Sequence, residues 1–263
     1  TKPLTRAFGW GSAEGFQQHD VQELLVQVLD ALERSNTAQF KALFEGTMSS
    51  YIRGEGFDRR SETPEPFTTL MLPIKGHSTL EAAIRSYFTP DRLEGDNQYM
   101  HEGLGKKVDA LKGAEVVDVP PVLVINLGRF LFDYATMRRV KINDVCSFPE
   151  TLDMDAVLKG FRARRGLKKR PERQKAEVSE NKDTNLAGGA AAAAAAAAAD
   201  PSSSCDDPFG AYDLVATMVH SGTTHGGHYR AFIRGDRAGN CDHWFNFNDS
   251  SVSRLDKDEV RTM

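Results

Sequence analysis

Apolar residues near the start of the chain recur at helical spacing. Between Phe16 and Leu32 they share one face of a helix; they are Val21, Leu24, Leu25, Val28, Leu29 and Leu32. The polar residues Gln17, Gln18, His19 and Asp20 precede them, as is typical of a helix start. This pattern predicts one amphipathic helix.

Most of the other apolar stretches are short and rich in β-branched residues, which favours strands. From Phe40 to Tyr51 the pattern predicts a short helix running into a strand. Further strands are predicted at Phe67–Ile74, at Val122–Leu127 as a buried central strand, and at Tyr212–Val219. Ser78 is predicted to cap a helix near Leu80–Phe88, with Glu81 completing a capping box. Two more strands are predicted around the glycine turn that follows Met218, and another at His243–Asp249.

The composition changes sharply after Leu158. A cluster of basic residues from Arg162 to Lys175 is followed by an alanine run at Ala190–Ala199 and by Pro201-Ser-Ser-Ser. Polar low-complexity sequence of this kind cannot offset the entropy of ordering. Residues 161–209 are therefore predicted to be a disordered insertion between an ordered part at 1–160 and another at 210–263. The basic cluster has a second interpretation, as a nuclear-import or acid-binding patch.

Charge and cysteine content narrow the class of protein. The formal net charge of -4 gives no reason to expect nucleic acid as a partner. The three cysteines are scattered and show no Cys-x-x-Cys spacing, so we expect neither disulfides nor a thiolate zinc site, and we expect a reducing location, cytoplasmic and/or nuclear. No apolar run reaches the length of a membrane span, so no membrane partner is expected. Because Thr1 starts neither a signal peptide nor a chain with an initiator methionine, we expect a fragment of a longer protein.

The candidate catalytic residues lie late in the chain. His228 follows Gly226 and Gly227 at the beginning of a predicted strand, and Asn248 and Asp249 end the next one. If the segment between these strands is a hairpin loop, the strands pair antiparallel. Asn248 would then accept the Nδ1 proton of His228 and leave Nε2 as a general base; Asp249 could do the same or polarise the attacking water. Such a base implies a nucleophile.

The other histidines near this site give no sign of a metal. His220, His225 and His243 have no cysteine or carboxylate at metal-ligand spacing. The sequence therefore predicts no catalytic zinc, and no cofactor is expected.

Four boxes of the sequence, in order, resemble the ubiquitin-specific proteases, papain-like cysteine peptidases that cut after the C-terminal glycine of ubiquitin. The boxes are the glutamine motif at Phe8–Leu24, the strand Leu123–Phe130, the pair Lys141–Asp144 and Phe148-Pro-Glu, and the histidine box with Gly-Gly-His-Tyr and Trp-Phe-Asn-Phe-Asn-Asp. Within the family, the resemblance is closest to the herpesvirus-associated and ubiquitin-specific protease forty-seven types. It implies an α+β papain-like fold with palm and fingers and an incomplete thumb, formed by residues 1–160 and 210–263.

The resemblance also implies a function. The full-length protein would be a thiol hydrolase that cleaves isopeptide or peptide bonds after ubiquitin, with ubiquitin and ubiquitinated proteins as partners. Asp20 and Glu23 would meet the arginine-bearing ubiquitin tail, although two acids at a helix start are equally explained by the helix dipole. Gly226, Gly227 and Tyr229 are the other candidate ubiquitin contacts, and Tyr229 would wall the channel that admits Gly-Gly.

The sequence departs from the family at its nucleophile. No box before Gln17 contains the family's cysteine, and Cys146, Cys205 and Cys241 are interpreted as structural or incidental. We therefore expect the nucleophile upstream of Thr1 and an inactive chain on its own. Two alternatives remain: a catalytically inactive ubiquitin-binding pseudoprotease, and a generic papain-like peptidase, against which the glutamine motif argues.

A second departure lies in the fingers. Glycines at 54, 56, 103 and 105 stand where many relatives have paired cysteines that bind a structural zinc. We therefore expect this region to fold without metal, and no ligand role is assigned to His101.

Overall fold

The structure, a computed structural model, describes Arg6 and residues 21–54, 56–60, 64–161, 209–224, 226–235 and 243–255. The described helices are α1 (Val21–Ser35), α2 (Thr37–Phe44), α3 (Leu80–Phe88) and α4 (Met154–Val157). The described strands are β1 (Gly46–Gly54), β2 (Phe57–Arg60), β3 (Glu65–Phe67), β4 (Thr69–Pro73), β5 (Asp91–Leu93), β6 (Tyr99–His101), β7 (Lys106–Val108), β8 (Ala110–Asp118), β9 (Val124–Gly128), β10 (Phe130–Asp133), β11 (Arg138–Lys141), β12 (Thr151–Asp153), β13 (Ala211–Asp213), β14 (Ala216–Gly222), β15 (Gly227–Arg234), β16 (Trp244–Asn248) and β17 (Ser251–Leu255). Short 3₁₀ turns lie at Gly95–Asn97 and Glu102–Leu104.

The chain divides into two compact units. Among the described residues, the first comprises those up to 161, Phe209–Leu214 and those within 220–229, and the second comprises Val215–Val219 and residues 230–235 and 243–255. Strands β14 and β15 therefore contribute residues to both units.

The first unit is built on an antiparallel sheet and a helical layer. Strands run in the order β2-β1-β8-β5, with β3 also paired to β1. Beside this sheet, β4 pairs in parallel with β9, and helix α3 packs against β4 and β8. The alternation of apolar and polar residues in Thr69–Pro73 buries Leu70 and Leu72 on one face of β4. That face looks into the core.

The core of the first unit joins residues that are distant in the sequence. Its buried members are Phe67, Leu70, Leu72, Leu80, Ala83, Ile84, Phe88, Val116, Val119, Leu152, Met154, Val157 and Leu158. Phe161 and Phe209 pack against this cluster. In addition, the backbone N–H groups of Phe209 and Gly210 donate to the carboxylate of Asp155, both at 2.9 Å. Both ends of the predicted insertion are thus fixed on the same core, while residues 162–208 lie outside the described residues.

The second unit contains the antiparallel ladder of the histidine box. Strand β15 pairs with β16, with Phe232 opposite Asn246, and β16 pairs with β17, with Asn248 opposite Ser251. Trp244 and Phe232 are buried, at 2% and 1% exposure. In the described parts of the chain, no helix has the length and apolar character needed to cross a membrane.

Several predicted elements are confirmed. The amphipathic helix is α1, as far as the described residues reach, and the helix running into a strand is α2 followed by β1. The hairpin predicted around the loop before His243 is β15 and β16. Hydrophobic periodicity predicts the type of these elements correctly because each of them buries one face.

Other predictions need correction. The cap of α3 is Thr79, whose hydroxyl accepts from the Ala82 N–H, rather than Ser78. Ser78 instead uses its carbonyl to accept from Ser147. The strand predicted at Val122–Leu127 begins at Val124 and is half-buried rather than fully buried, because among the described strands it pairs with β4 alone.

Candidate active site

A tight glycine turn joins β14 to β15 and presents the candidate histidine. Gly222 ends β14 with φ +131°, a conformation that favours glycine. The Thr223 N–H donates to the Gly226 carbonyl at 2.9 Å and closes the turn. A Cβ on Gly222 would lie 2.5 Å from that same carbonyl oxygen. Gly222 is therefore required by the turn itself.

His228 is the second residue of β15, and its side chain is exposed. Because side chains alternate along a strand, His228 has the same orientation on β15 as Phe232, and Tyr229 has the opposite one. An imidazole at this position is accessible to solvent and substrate while its backbone belongs to a strand. That combination suits a proton-transfer group.

Tyr229 supports the start of helix α1. Its hydroxyl oxygen accepts from the Val21 N–H at 3.4 Å. This N–H belongs to the first turn of the helix, where no carbonyl of the same helix is available. The Tyr229 ring also packs on the His220 ring, with 4.7 Å between centroids. Tyr229 is thus part of a packed aromatic group; its predicted role as a channel wall stays a prediction.

Asn248 and Asp249 differ in their placement. Asn248 is the last residue of β16 and is half-buried. Asp249 lies in the turn that follows, exposed and with φ 51°, so the prediction that it belongs to the strand is wrong. Asp has a short polar side chain that tolerates this left-handed conformation better than most residues. Asp249 is therefore explained by the β16–β17 turn.

Asn246 was missed by the sequence analysis. It shares a strand face with Asn248, because the two are separated by one residue on β16. Its amide oxygen is buried and has no hydrogen-bond partner among the described residues. The signal in the sequence was the spacing Asn-Phe-Asn, which places two amides on one face.

The predicted ubiquitin contacts are partly described. Glu23 is exposed in the first turn of α1, whereas Asp20 lies outside the described residues. Gly226 and Gly227 are half-buried, and a Cβ on Gly227 would collide with the His220 ring and the Ser221 carbonyl. Gly227 thus has an intramolecular reason to be glycine.

Cys146 is the cysteine that the described residues contain, and it does not have the character of a nucleophile. It is buried, and burial raises the pKa of its thiol, with Glu81 adding to the rise and Arg129 opposing it. A catalytic cysteine has a lowered pKa and lies open to substrate. Cys205 and Cys241 lie outside the described residues, and the location of the nucleophile upstream of Thr1 stays a prediction.

Aromatic rings of β2 and β6 meet in the part of the first unit where, by the family resemblance, many relatives have zinc-binding cysteines. The Phe57 ring stacks on Tyr99 at 5.8 Å and meets His101 edge-on at 4.6 Å. His101 Nδ1 accepts from the Leu104 N–H at 3.2 Å, which uses this nitrogen in a local cap. Across the described ranges, no three potential ligands from His, Cys, Asp and Glu cluster as a metal site. The aromatic contacts hold β2 and β6 together here.

Comparison with known proteins gives the family. The family described as ubiquitin carboxyl-terminal hydrolase matches residues 1–263. The chain is 32% identical over 296 residues to Ubiquitin carboxyl-terminal hydrolase 47 of Drosophila melanogaster, an alignment that covers 99% of this chain and 19% of that relative. It is 34% identical over 261 residues to Ubiquitin C-terminal hydrolase 12 of Arabidopsis thaliana, covering 97% of this chain and 20% of that relative. The chain thus spans about one fifth of the length of these curated relatives.

The fold is shared with a solved structure. The SAGA Ubp8/Sgf11/Sus1/Sgf73 DUB module bound to ubiquitin aldehyde matches with a TM-score of 0.68 and 23% sequence identity, covering 98% of this chain and 50% of that chain. The predicted α+β fold of the ubiquitin-specific protease type is thereby confirmed. With the family match along its whole length, the chain belongs to the ubiquitin carboxyl-terminal hydrolases.

Proposed function

We propose that the full-length protein is a deubiquitinating thiol hydrolase that cleaves isopeptide or peptide bonds after the last glycine of ubiquitin. The observation that carries this proposal is the exposed His228, held at the start of a strand by a glycine turn, in a chain of this family. A solvent-accessible imidazole on a firmly held backbone is what general-base catalysis needs.

In the proposed mechanism, His228 moves one proton twice. The Asn248 amide oxygen accepts a hydrogen bond from Nδ1–H of His228, so that the tautomer with an unprotonated Nε2 is favoured. Nε2 takes the proton of a cysteine thiol of the full-length protein, and the thiolate attacks the carbonyl carbon of ubiquitin's last glycine. The imidazolium then returns the proton to the leaving amine as the carbon–nitrogen bond breaks. Water, activated by the same histidine, hydrolyses the thioester.

Strand alternation supports Asn248 over Asp249 as the orienting residue. Phe232 and Asn246 are register partners between β15 and β16. His228 has the orientation of Phe232 on its strand, and Asn248 has the orientation of Asn246 on its own. Asp249 lies in a turn with φ 51°. We therefore assign Asp249 to the turn and give Asn248 the role in tautomer selection.

The proposed substrates are ubiquitinated proteins, which the enzyme recognises through their ubiquitin. The ubiquitin tail is basic and extended, and Glu23, exposed in the first turn of α1, offers it a carboxylate. Asp20 is proposed to contribute a second one. Tyr229 and the two glycines before His228 are proposed to border the channel for the Gly-Gly end.

The assay is cleavage of ubiquitin-aminomethylcoumarin by the full-length protein and three variants. We expect His228→Ala to abolish turnover and Asn248→Ala to lower kcat by about 10²–10⁴-fold, because the wrong tautomer then dominates. Asp249→Gly is the matched control one residue away: it removes the carboxylate, it accommodates the φ of 51° without strain, and it should keep kcat within about threefold. Unchanged turnover in His228→Ala would remove this residue from the mechanism. A larger loss in Asp249→Gly than in Asn248→Ala would reverse their roles.

A catalytically inactive ubiquitin-binding protein is the second candidate, and the buried Cys146 thiol is the observation that favours it. The two candidates differ toward a ubiquitin-propargylamide probe, which captures only a reactive cysteine. The hydrolase predicts covalent labelling of the full-length protein and none of residues 1–263 alone. The inactive protein predicts binding without labelling in both.

A further inference from the structure

Lys141 donates hydrogen bonds to the main chain where β14 enters the glycine turn. The Lys141 Nζ donates to the His220 carbonyl at 3.0 Å and to the Gly222 carbonyl at 3.0 Å. These two carbonyls lie on either side of Ser221, where β14 runs into the turn. A single ammonium thus donates to two carbonyls of β14 that are two residues apart. Hydrogen bonds from an ionised donor are roughly twice as strong as neutral ones.

The lysine is itself firmly placed. It pairs with Phe130 across the β10–β11 ladder, and the Phe130 ring meets the His220 ring edge-on at 5.4 Å. The segment after Lys141 is fixed by Arg129, whose Nη1 donates to the carbonyls of Ile142 at 3.1 Å and Asp144 at 3.0 Å. The Ile142 N–H donates back to the Arg129 carbonyl at 2.6 Å. Lys141 therefore extends from a rigid base toward the turn.

The turn needs such support because of its composition. Glycine loses more backbone freedom on folding than any other residue, and Gly222, Gly226 and Gly227 fall within a few positions of one another. Thr223 closes the turn on Gly226 through its N–H and, at 3.4 Å, through its hydroxyl. The Lys141 ammonium adds a tie from outside the turn to this short closure.

We propose that Lys141 is a positioning residue for His228: its ammonium fixes the carbonyls of His220 and Gly222 and thereby the turn that carries the base. This inference rests on the proposed role of His228. A general base works only within hydrogen-bond reach of its proton, and a misplacement of about 1 Å can cost about 10²-fold in rate. Lys141 acts on the geometry of the base, so its loss lowers kcat and leaves KM for ubiquitin nearly unchanged.

The test compares three variants in the full-length protein. Lys141→Met keeps the length of the side chain and removes its charge and donors. Lys141→Arg keeps both the charge and the donors. Lys112→Met is the matched control, because Lys112 is exposed on β8, in the antiparallel sheet of the first unit. The readouts are kcat and KM on ubiquitin-aminomethylcoumarin and amide hydrogen exchange of the peptide covering residues 217–232.

We expect Lys141→Met to lower kcat about tenfold with KM within about twofold, and to speed exchange in the turn peptide. Lys141→Arg should recover most of kcat, and Lys112→Met should match the unmodified protein. If Lys141→Met does not fold, Lys141→Gln, which keeps a neutral donor, takes its place with the same expectations.

Three results would overturn the inference. Unchanged exchange in Lys141→Met would mean that the lysine does not hold the turn. Faster exchange with unchanged kcat would mean that the turn does not set the rate. A rise in KM equal to the loss of kcat/KM would mean that Lys141 serves ubiquitin binding. His228→Ala is measured beside these variants. Full turnover in His228→Ala would refute His228 as the base, whatever the exchange data show. A failure of the proposed function can therefore be told apart from a failure of this inference.

Discussion

Replacing Gly227 with alanine tests how the turn is packed. A Cβ built on Gly227 would collide with the Nε2 atom of His220 and the carbonyl oxygen of Ser221, and would lie 2.6 Å from the Cε1 atom of His220. Neither neighbour can give way freely. The His220 ring is packed between Phe130 and Tyr229. The adjoining carbonyls are bonded to the Lys141 ammonium.

The expected cost follows from these contacts. Forcing one methyl group into a packed site costs about 1–3 kcal/mol. Alanine also restricts the unfolded chain, which offsets about 0.4–1 kcal/mol. A net loss of about 1–2 kcal/mol in the free energy of unfolding lowers Tm by about 2–8 °C for a domain of this size. Because relief of the collision moves the backbone next to His228, we expect kcat to fall by up to about 10²-fold.

The assay is thermal unfolding by circular dichroism beside turnover of ubiquitin-aminomethylcoumarin by the full-length protein. Gly103→Ala is the matched control, since a Cβ there lies 3.1 Å from the Cε1 atom of His101, a contact that a small shift relieves. His220→Ala combined with Gly227→Ala removes the ring but leaves the Ser221 carbonyl. The pair should therefore lose less than the sum of the single losses, by about 0.5–3 kcal/mol. A Gly227→Ala variant with unchanged Tm and kcat would refute the packing argument.

Three further predictions concern other regions. Replacing residues 162–208 with a short flexible linker should leave Tm nearly unchanged, because each doubling of loop length costs only about 0.6 kcal/mol; a large drop in Tm would show that the segment packs on the core. The double variant Asp20→Asn, Glu23→Gln should lower kcat/KM for ubiquitin substrates, since a charge-assisted hydrogen bond contributes about 1.5–3 kcal/mol. Its circular dichroism spectrum should be unchanged. A wild-type rate would mean that these acids interact with the helix dipole only. Phe57→Ala should lower the free energy of unfolding by about 1–2 kcal/mol through loss of the aromatic contacts, whereas a chelator should not change it. A chelator-induced loss of stability would mean that a metal binds near Phe57 and His101.

Periodicity and family motifs predicted most of the fold. Helix α1 and the helix and strand at the α2–β1 junction could be predicted because the apolar residues of each element follow one period. That period is set by the face that the element buries. The histidine box placed His228 at the beginning of a strand and Asn248 at the end of the next. These are local properties, carried by residues close together in the chain.

The wrong predictions share a different cause. Ser78 and Thr79 are both good N-caps, and the choice between them depends on the bridge that Thr79 makes to Ser147, distant in sequence. Asp249 could equally continue β16 or begin a turn, and the pairing of Asn248 with Ser251 decides for the turn. In both cases two neighbouring residues had similar local preference, and a pairing that the periodicity does not show made the choice.

The glycines before His228 show how far a motif can be explained without its ligand. From the sequence, Gly226 and Gly227 were candidate ubiquitin contacts, because glycine lets another chain approach closely. In the structure, the space above Gly227 is taken by His220 of the same chain, and Gly222 has the positive φ that starts the turn. The turn therefore requires glycine at positions 222 and 227 before any substrate binds. The same turn presents the exposed imidazole of His228, and we propose that Lys141 sets the direction of this imidazole through the carbonyls of His220 and Gly222.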